Sequence, residues 1–105
     1  MKESEMSLEK LYEIIVDRKT NMPEKSYVAS LFKKGPDRIA QKVGEEGVEV
    51  SLAAIRTAIT GEGQQRVVEE VADLWFHSLV LLASFGIPPT VILNELAKRN
   101  AGEQK

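Results

Sequence analysis

The stretch P-D-R-I-A-Q-K-V-G-E-E-G-V-E-V-S-L-A-A-I-R-T-A-I-T, from Pro36 to Thr60, decides the fold of this chain. Pro36 suits the first turn of a helix, where its missing N–H is no loss. Gly61 and Gly63 lie just past the last apolar residue, where a helix stops. At about 100° per residue, Lys42, Glu46, Glu49, Ala53 and Arg56 fall within about 80° of one another. Ile39, Val43, Val50 and Ala54 occupy one flank of that stripe, and Val48, Leu52, Ile55 and Ile59 the other. A carboxylate stripe bordered by apolar residues on both sides is not an ordinary solvated face. Glu46 and Glu49 are therefore expected to point into an assembly.

The next stretch repeats the device. A second long helix is predicted from Gln64 to Ser84, with Gly86 ending it. Glu70, Asp73 and His77 fall at i, i+3 and i+7, and Arg66 lies one turn earlier on the same side. Val67, Val71, Leu74, Trp75, Leu79, Leu81 and Leu82 make this helix apolar over much of its circumference, which implies burial on more than one side. If the glycines fold the two helices back as an antiparallel hairpin, the acid pairs face each other across the seam.

Working outward, Ser7 caps a helix from Leu8 to about Arg18, with Leu8, Leu11, Tyr12 and Ile15 as its apolar stripe. Met6 and Leu11 are spaced for a hydrophobic staple across that cap. Residues 21–26, which contain Pro23, read as a loop, and residues 27–34 as a short helix stopped by Gly35. Pro88 and Pro89 open a last helix to about Asn100, carrying Val91, Ile92, Leu93 and Leu96, before a tail that frays. No strand alternation or internal repeat is visible. The fold predicted is all-α: a helical bundle built on an antiparallel pair of long helices and completed by self-association. It forms one domain over residues 1–105, with its core at about 8–100.

Composition narrows the chemistry. The absence of cysteine excludes disulfides, a thiolate zinc site and a cysteine nucleophile, and it fits a reducing cytoplasm. A net charge of −2 argues against nucleic acid as a partner. The opening M-K-E-S-E-M-S-L-E-K has no apolar core of a secretory signal, and the longest apolar run, residues 79–83, is too short for a membrane span.

Charge repulsion then has to be answered. Two unit charges about 4 Å apart repel by roughly 4 kcal/mol at an effective dielectric near 20. A cluster of Glu46, Glu49, Glu70 and Asp73 must bind a cation, raise its pKa values or splay into water. All-oxygen donors favour Mg²⁺, Mn²⁺ or Ca²⁺ over zinc, and Mg²⁺ keeps waters and bridges readily to substrate phosphates. Such a water is a nucleophile whose proton a neighbouring carboxylate can take. The competing reading is two solvated E-x-x-E faces. A di-iron site is disfavoured, because it needs Glu-x-x-His on two helices and this chain has a single histidine.

Further residues carry two readings each. Lys42 either binds phosphate or neutralises the carboxylates; Glu45 borders the stripe as a partner or rim ligand, whereas Glu69 turns toward the surface. Lys33 and Lys34 flank the turn at Gly35, where the N-terminal amides of the long helix can receive an anion, against a solvated basic loop as the alternative. Arg56 and Arg66 are weaker phosphate candidates that helix salt bridges explain as well. His77 is a satisfied interior histidine or a hydrogen-bond partner of a ligand carboxylate. Trp75 is read as core or interface packing rather than a base-stacking platform.

E-E-G-V-E (residues 45–49) followed by E-E-V-A-D (residues 69–73) resembles the E-x-x-E…E-x-x-D signature of the all-helical nucleoside triphosphate pyrophosphohydrolases. S-Y-V-A-S-L-F (26–32), Gly35, K-V-G-E-E (42–46), A-D-L-W-F-H (72–77) and N-E-L-A-K-R (94–99) narrow the resemblance to the phosphoribosyl-ATP pyrophosphohydrolase family. It covers roughly Leu8 to Arg99. The resemblance implies hydrolysis of phosphoribosyl-ATP to phosphoribosyl-AMP and pyrophosphate, the second step of histidine biosynthesis, with Mg²⁺ required and water attacking at the α–β linkage. Carried over by position, the metal and catalytic residues are Glu46, Glu49, Glu70 and Asp73. Lys42, Lys34, Gly35 and Glu45 are the substrate-binding candidates. The resemblance also implies a homodimer or higher homo-oligomer with pockets near the subunit boundary. Many relatives carry a fused cyclohydrolase, for which this sequence has neither room nor metal-binding cysteines, so a stand-alone hydrolase is expected. Two alternatives stand beside this reading: a house-cleaning hydrolase of other nucleoside triphosphates, and a non-catalytic helical interaction module.

Overall fold

Ser7 and Ser26 start the first two helices by the same device. The Ser7 hydroxyl accepts the Lys10 N–H at 3.0 Å and the Ser26 hydroxyl accepts the Ala29 N–H at 3.1 Å, each satisfying an amide that the helix leaves open. In the computed structural model, which describes residues 5–102, five helices follow one another: α1 (Leu8–Asn21), α2 (Tyr27–Lys34), α3 (Pro36–Thr60), α4 (Gln64–Ser84) and α5 (Pro89–Ala101). No strand occurs among the described residues, and the chain is all-α.

The bounds of α2, α3 and α4 are those the sequence predicts. The first helix runs past Arg18 to Asn21, because Met22 takes the left-handed conformation (φ 48°, ψ 57°) that closes it, and the Met22 N–H donates to the Arg18 carbonyl. Pro23 then bars the chain from continuing as helix. Met6, half of a predicted staple, is 54% exposed. Of the tail expected to fray, Ala101 still belongs to α5, and residues 103–105 lie outside those described.

Gly86 (φ 70°) ends α4. The Ile87 N–H reaches back to the Leu82 carbonyl at 2.9 Å and the Gly86 N–H to Ala83 at 3.1 Å, a Schellman closure. The chain bends by 107° there into α5. No single helix among the described residues is long and apolar enough to cross a membrane.

The buried centre is made by Ile15 of α1, Leu31 of α2, Ile39 of α3, and Leu79, Val80 and Ala83 of α4, with Leu8, Leu11, Tyr12, Val16 and Phe32 packed around it. This core lies at the N-terminal half of α3 and the C-terminal half of α4. The most extensive helix–helix packing is that of α3 on α4, whose other halves extend beyond the core. A radius of gyration of 15.6 Å exceeds the roughly 13 Å usual for a chain of this length. Val48, Leu52, Ile55 and Ile59 line one side of α3 at 58%, 56%, 57% and 79% exposure, and Val68 and Trp75 stand bare on α4.

Candidate metal centre

Where α3 packs on α4, three acids converge. Glu46, Glu70 and Asp73 each offer a carboxylate oxygen, and these oxygens all lie within 4.8 Å of one another. Glu46 and Glu70 are buried, at 9% and 4% exposure, while Asp73 opens to solvent. Opposite oxygens on one cation sit about 4.2 Å apart for Mg²⁺ and about 4.6–5.2 Å apart for Ca²⁺, twice the bond lengths. The cluster therefore fits a hard divalent ion in size and in donor chemistry.

Three cations partly answer the repulsion in and beside the cluster. Lys42 Nζ lies 3.4 Å from Glu46 and 3.6 Å from Glu45, and Arg38 stands 3.7 Å from the other Glu45 oxygen. Burial pulls the Lys42 ammonium down, but Tyr27, Glu46 and Glu45 together outweigh it and leave its pKa above the ordinary lysine value. Arg66 reaches Glu70 at 2.7 Å and Glu69 at 3.7 Å. Asp73 has no ion pair among the described residues. Lys42 and Arg66 are shared with Glu45 and Glu69, so these cations do not fully neutralise the three converging carboxylates.

Glu49 stands apart from the three. It is exposed on the same stripe of α3 and lines a groove of about 710 Å³ with Leu52, Arg56, Thr57, Gly63 and Arg66. Arg66 thus touches both the cluster, through Glu70, and the groove. That volume is within the range of small-molecule sites.

The other sequence candidates fall as follows. Lys42 and Glu45 pair with each other beside Glu46, so Lys42 neutralises carboxylates in this structure. Lys34 is exposed. Gly35 adopts φ 96°, ending α2 and beginning α3, and lines a second cavity of about 350 Å³ with Lys19, Phe32 and Ser84. His77 is the satisfied interior histidine: 5% exposed, its Nδ1 lies 2.8 Å from the Asp73 carbonyl and its Nε2 2.8 Å from the Tyr27 hydroxyl. Its contact is with the main chain of Asp73, not the carboxylate. Trp75 is 57% exposed and so lies outside the core. Tyr27 was not singled out in the sequence, since its partner is fifty positions away and no local spacing announces it.

An all-α chain whose two longest helices hold converging carboxylates beside a groove is a helical protein with a candidate metal site. Residues 8–100 match the family described as phosphoribosyl-ATP pyrophosphohydrolase, and the chain belongs to that family. A phosphoribosyl-ATP pyrophosphatase of Geobacter sulfurreducens is 48% identical over 99 residues, covering 94% of this chain and 87% of that protein. One of Ralstonia nicotianae is also 48% identical over 99 residues, with 89% and 80% covered. One of Cupriavidus metallidurans is 56% identical over 80 residues, with 73% and 66% covered.

Proposed function

We propose that this chain hydrolyses phosphoribosyl-ATP to phosphoribosyl-AMP and pyrophosphate, the second step of histidine biosynthesis, in the cytoplasm. The observation that carries this reading is the meeting of Glu46, Glu70 and Asp73 within 4.8 Å in a member of this family. Those three residues, with Glu49 completing the stripe, would hold Mg²⁺. When bound, the ion supplies charge to offset the polyphosphate and lowers the pKa of a coordinated water.

The chain's own groups account for the rest. One of the four carboxylates orients the attacking water and takes its proton as the water oxygen bonds to phosphorus at the α–β linkage. The bond to the bridging oxygen breaks, and pyrophosphate leaves. Arg56 and Arg66, both on the groove, would pair with phosphate oxygens, as guanidinium forks do. Lys42 limits repulsion between substrate and acids through its pairs with Glu45 and Glu46. Lys34 and the α3 amides after Gly35 offer a further anion contact.

We propose also that the antiparallel α3/α4 pair is completed by a second copy in a homodimer or larger homo-oligomer. The bare side of α3 and the open shape of the single chain support it.

The test is pyrophosphate release from phosphoribosyl-ATP, with ATP and dUTP alongside, in Mg²⁺ and in chelator, by wild type and Glu49→Ala. The expected result is Mg²⁺-dependent release from phosphoribosyl-ATP alone, reduced by orders of magnitude in the variant. Faster release from ATP or dUTP would move the assignment to a house-cleaning hydrolase. No release from any nucleotide would leave a non-catalytic helical module.

A further inference from the structure

Asp73 is the least restrained acid of the cluster. Glu46 is tied by Lys42 and Glu70 by Arg66, whereas Asp73 is exposed and has no ion pair among the described residues. Its placement depends on the turn of α4 that carries it. That turn is held from the side. His77 Nδ1 lies 2.8 Å from the Asp73 carbonyl, and a carbonyl only accepts, so Nδ1 carries the proton. In the neutral ring Nε2 is then an acceptor, and the Tyr27 hydroxyl donates to it at 2.8 Å.

The rings are seated as well as bonded. Tyr27 stacks on Phe76 with centroids 6.3 Å apart, and His77 meets both edge-on, at 5.8 Å from Tyr27 and 5.1 Å from Phe76. The helix α2 packs chiefly on α1 and α3 and shares the core with α4 through Leu31, and this tyrosine adds a polar tie to α4 beside the acids.

We propose that Tyr27 is a positioning residue for the acid cluster: its hydroxyl locks His77, which clamps the Asp73 carbonyl and fixes how α4 presents Asp73 toward Glu46 and Glu70. This rests on the metal reading of the cluster given above. Loss of an outer hydrogen bond that orients a metal ligand costs about 10- to 100-fold in metal affinity or activity.

Tyr27→Phe keeps the ring and its stacking and removes only the hydroxyl. The chain has one histidine, so its imidazole ¹⁵N resonances belong to His77 alone. In wild type those resonances are expected to show the Nδ1–H tautomer. In Tyr27→Phe, folded by circular dichroism, the Nε2 resonance moves and calorimetry reads Mg²⁺ binding about tenfold weaker. A kcat lowered at near-constant KM for phosphoribosyl-ATP accompanies it. An Nε2–H tautomer in wild type, an unmoved Nε2 resonance in the variant, or unchanged Mg²⁺ affinity would each overturn the proposal. A wild type that binds Mg²⁺ but releases no pyrophosphate would overturn the proposed reaction and leave the role of Tyr27 standing.

Discussion

Arg66 meets Glu70 at 2.7 Å across one turn of α4, with its own side chain 62% exposed and that of Glu70 only 5% exposed. The guanidinium reaches in from water to a carboxylate that cannot reach out. Removing it leaves a nearly buried charge with its neighbours Glu46 and Asp73. Exposed i,i+4 pairs contribute about 0.5 kcal/mol and breaking a fully buried pair costs about 3–5 kcal/mol, so Arg66→Ala is expected to cost about 1–2 kcal/mol in urea unfolding. Mg²⁺ should recover more stability in this variant than in wild type, because it then answers the larger residual charge.

The acids themselves trade stability against binding. Glu46→Gln or Asp73→Asn relieves repulsion within the cluster, so each variant is expected to match or exceed wild type in Tm without metal. Mg²⁺ should raise the wild-type Tm, as any ligand bound only by the folded state does. It should leave the variants nearly unmoved, and their pyrophosphate release should fall by at least about 100-fold. A scan with Mg²⁺, then with chelator, reads both effects.

Gly44 and Gly47 lie inside α3, and a methyl group built on either meets nothing within 4 Å. Glycine within a helix costs about 0.5–1 kcal/mol relative to alanine. Gly44→Ala and Gly47→Ala are each expected to stabilise the free chain by that amount. Thermal unfolding should register it as a rise of about 4–8 °C per kcal/mol.

The bare row of Val48, Leu52, Ile55 and Ile59 predicts association through α3. Sedimentation velocity is expected to find wild type as a dimer or larger species and Leu52→Glu as a monomer. A wild type that remains monomeric at high micromolar concentration would remove this surface from the account.

Most of the architecture was legible from local signals. Gly35, Pro36, Gly61 and Gly86 punctuate the chain, and each acts on its own few neighbours, so α2, α3 and α4 have the predicted bounds, while the Ser26 cap of α2 is visible only in the fold. The end of α1 was not legible, because Met22 occupies a left-handed position that is usually glycine's. In the site, helical spacing brought out Glu46, Glu70 and Asp73, which the fold joins. The same spacing grouped Glu49 with them, but one further turn along α3 carries it to the groove. The link from Tyr27 to His77 spans fifty positions and depends on how α2 docks, which no short-range pattern encodes.

Trp75 is the sole tryptophan, and more than half of it stands in water on α4. The molecule therefore carries its own optical gauge of that surface. Emission from dilute protein should peak at the long wavelengths of a solvated indole, and a blue shift with rising concentration would report the face being covered, without label or substitution.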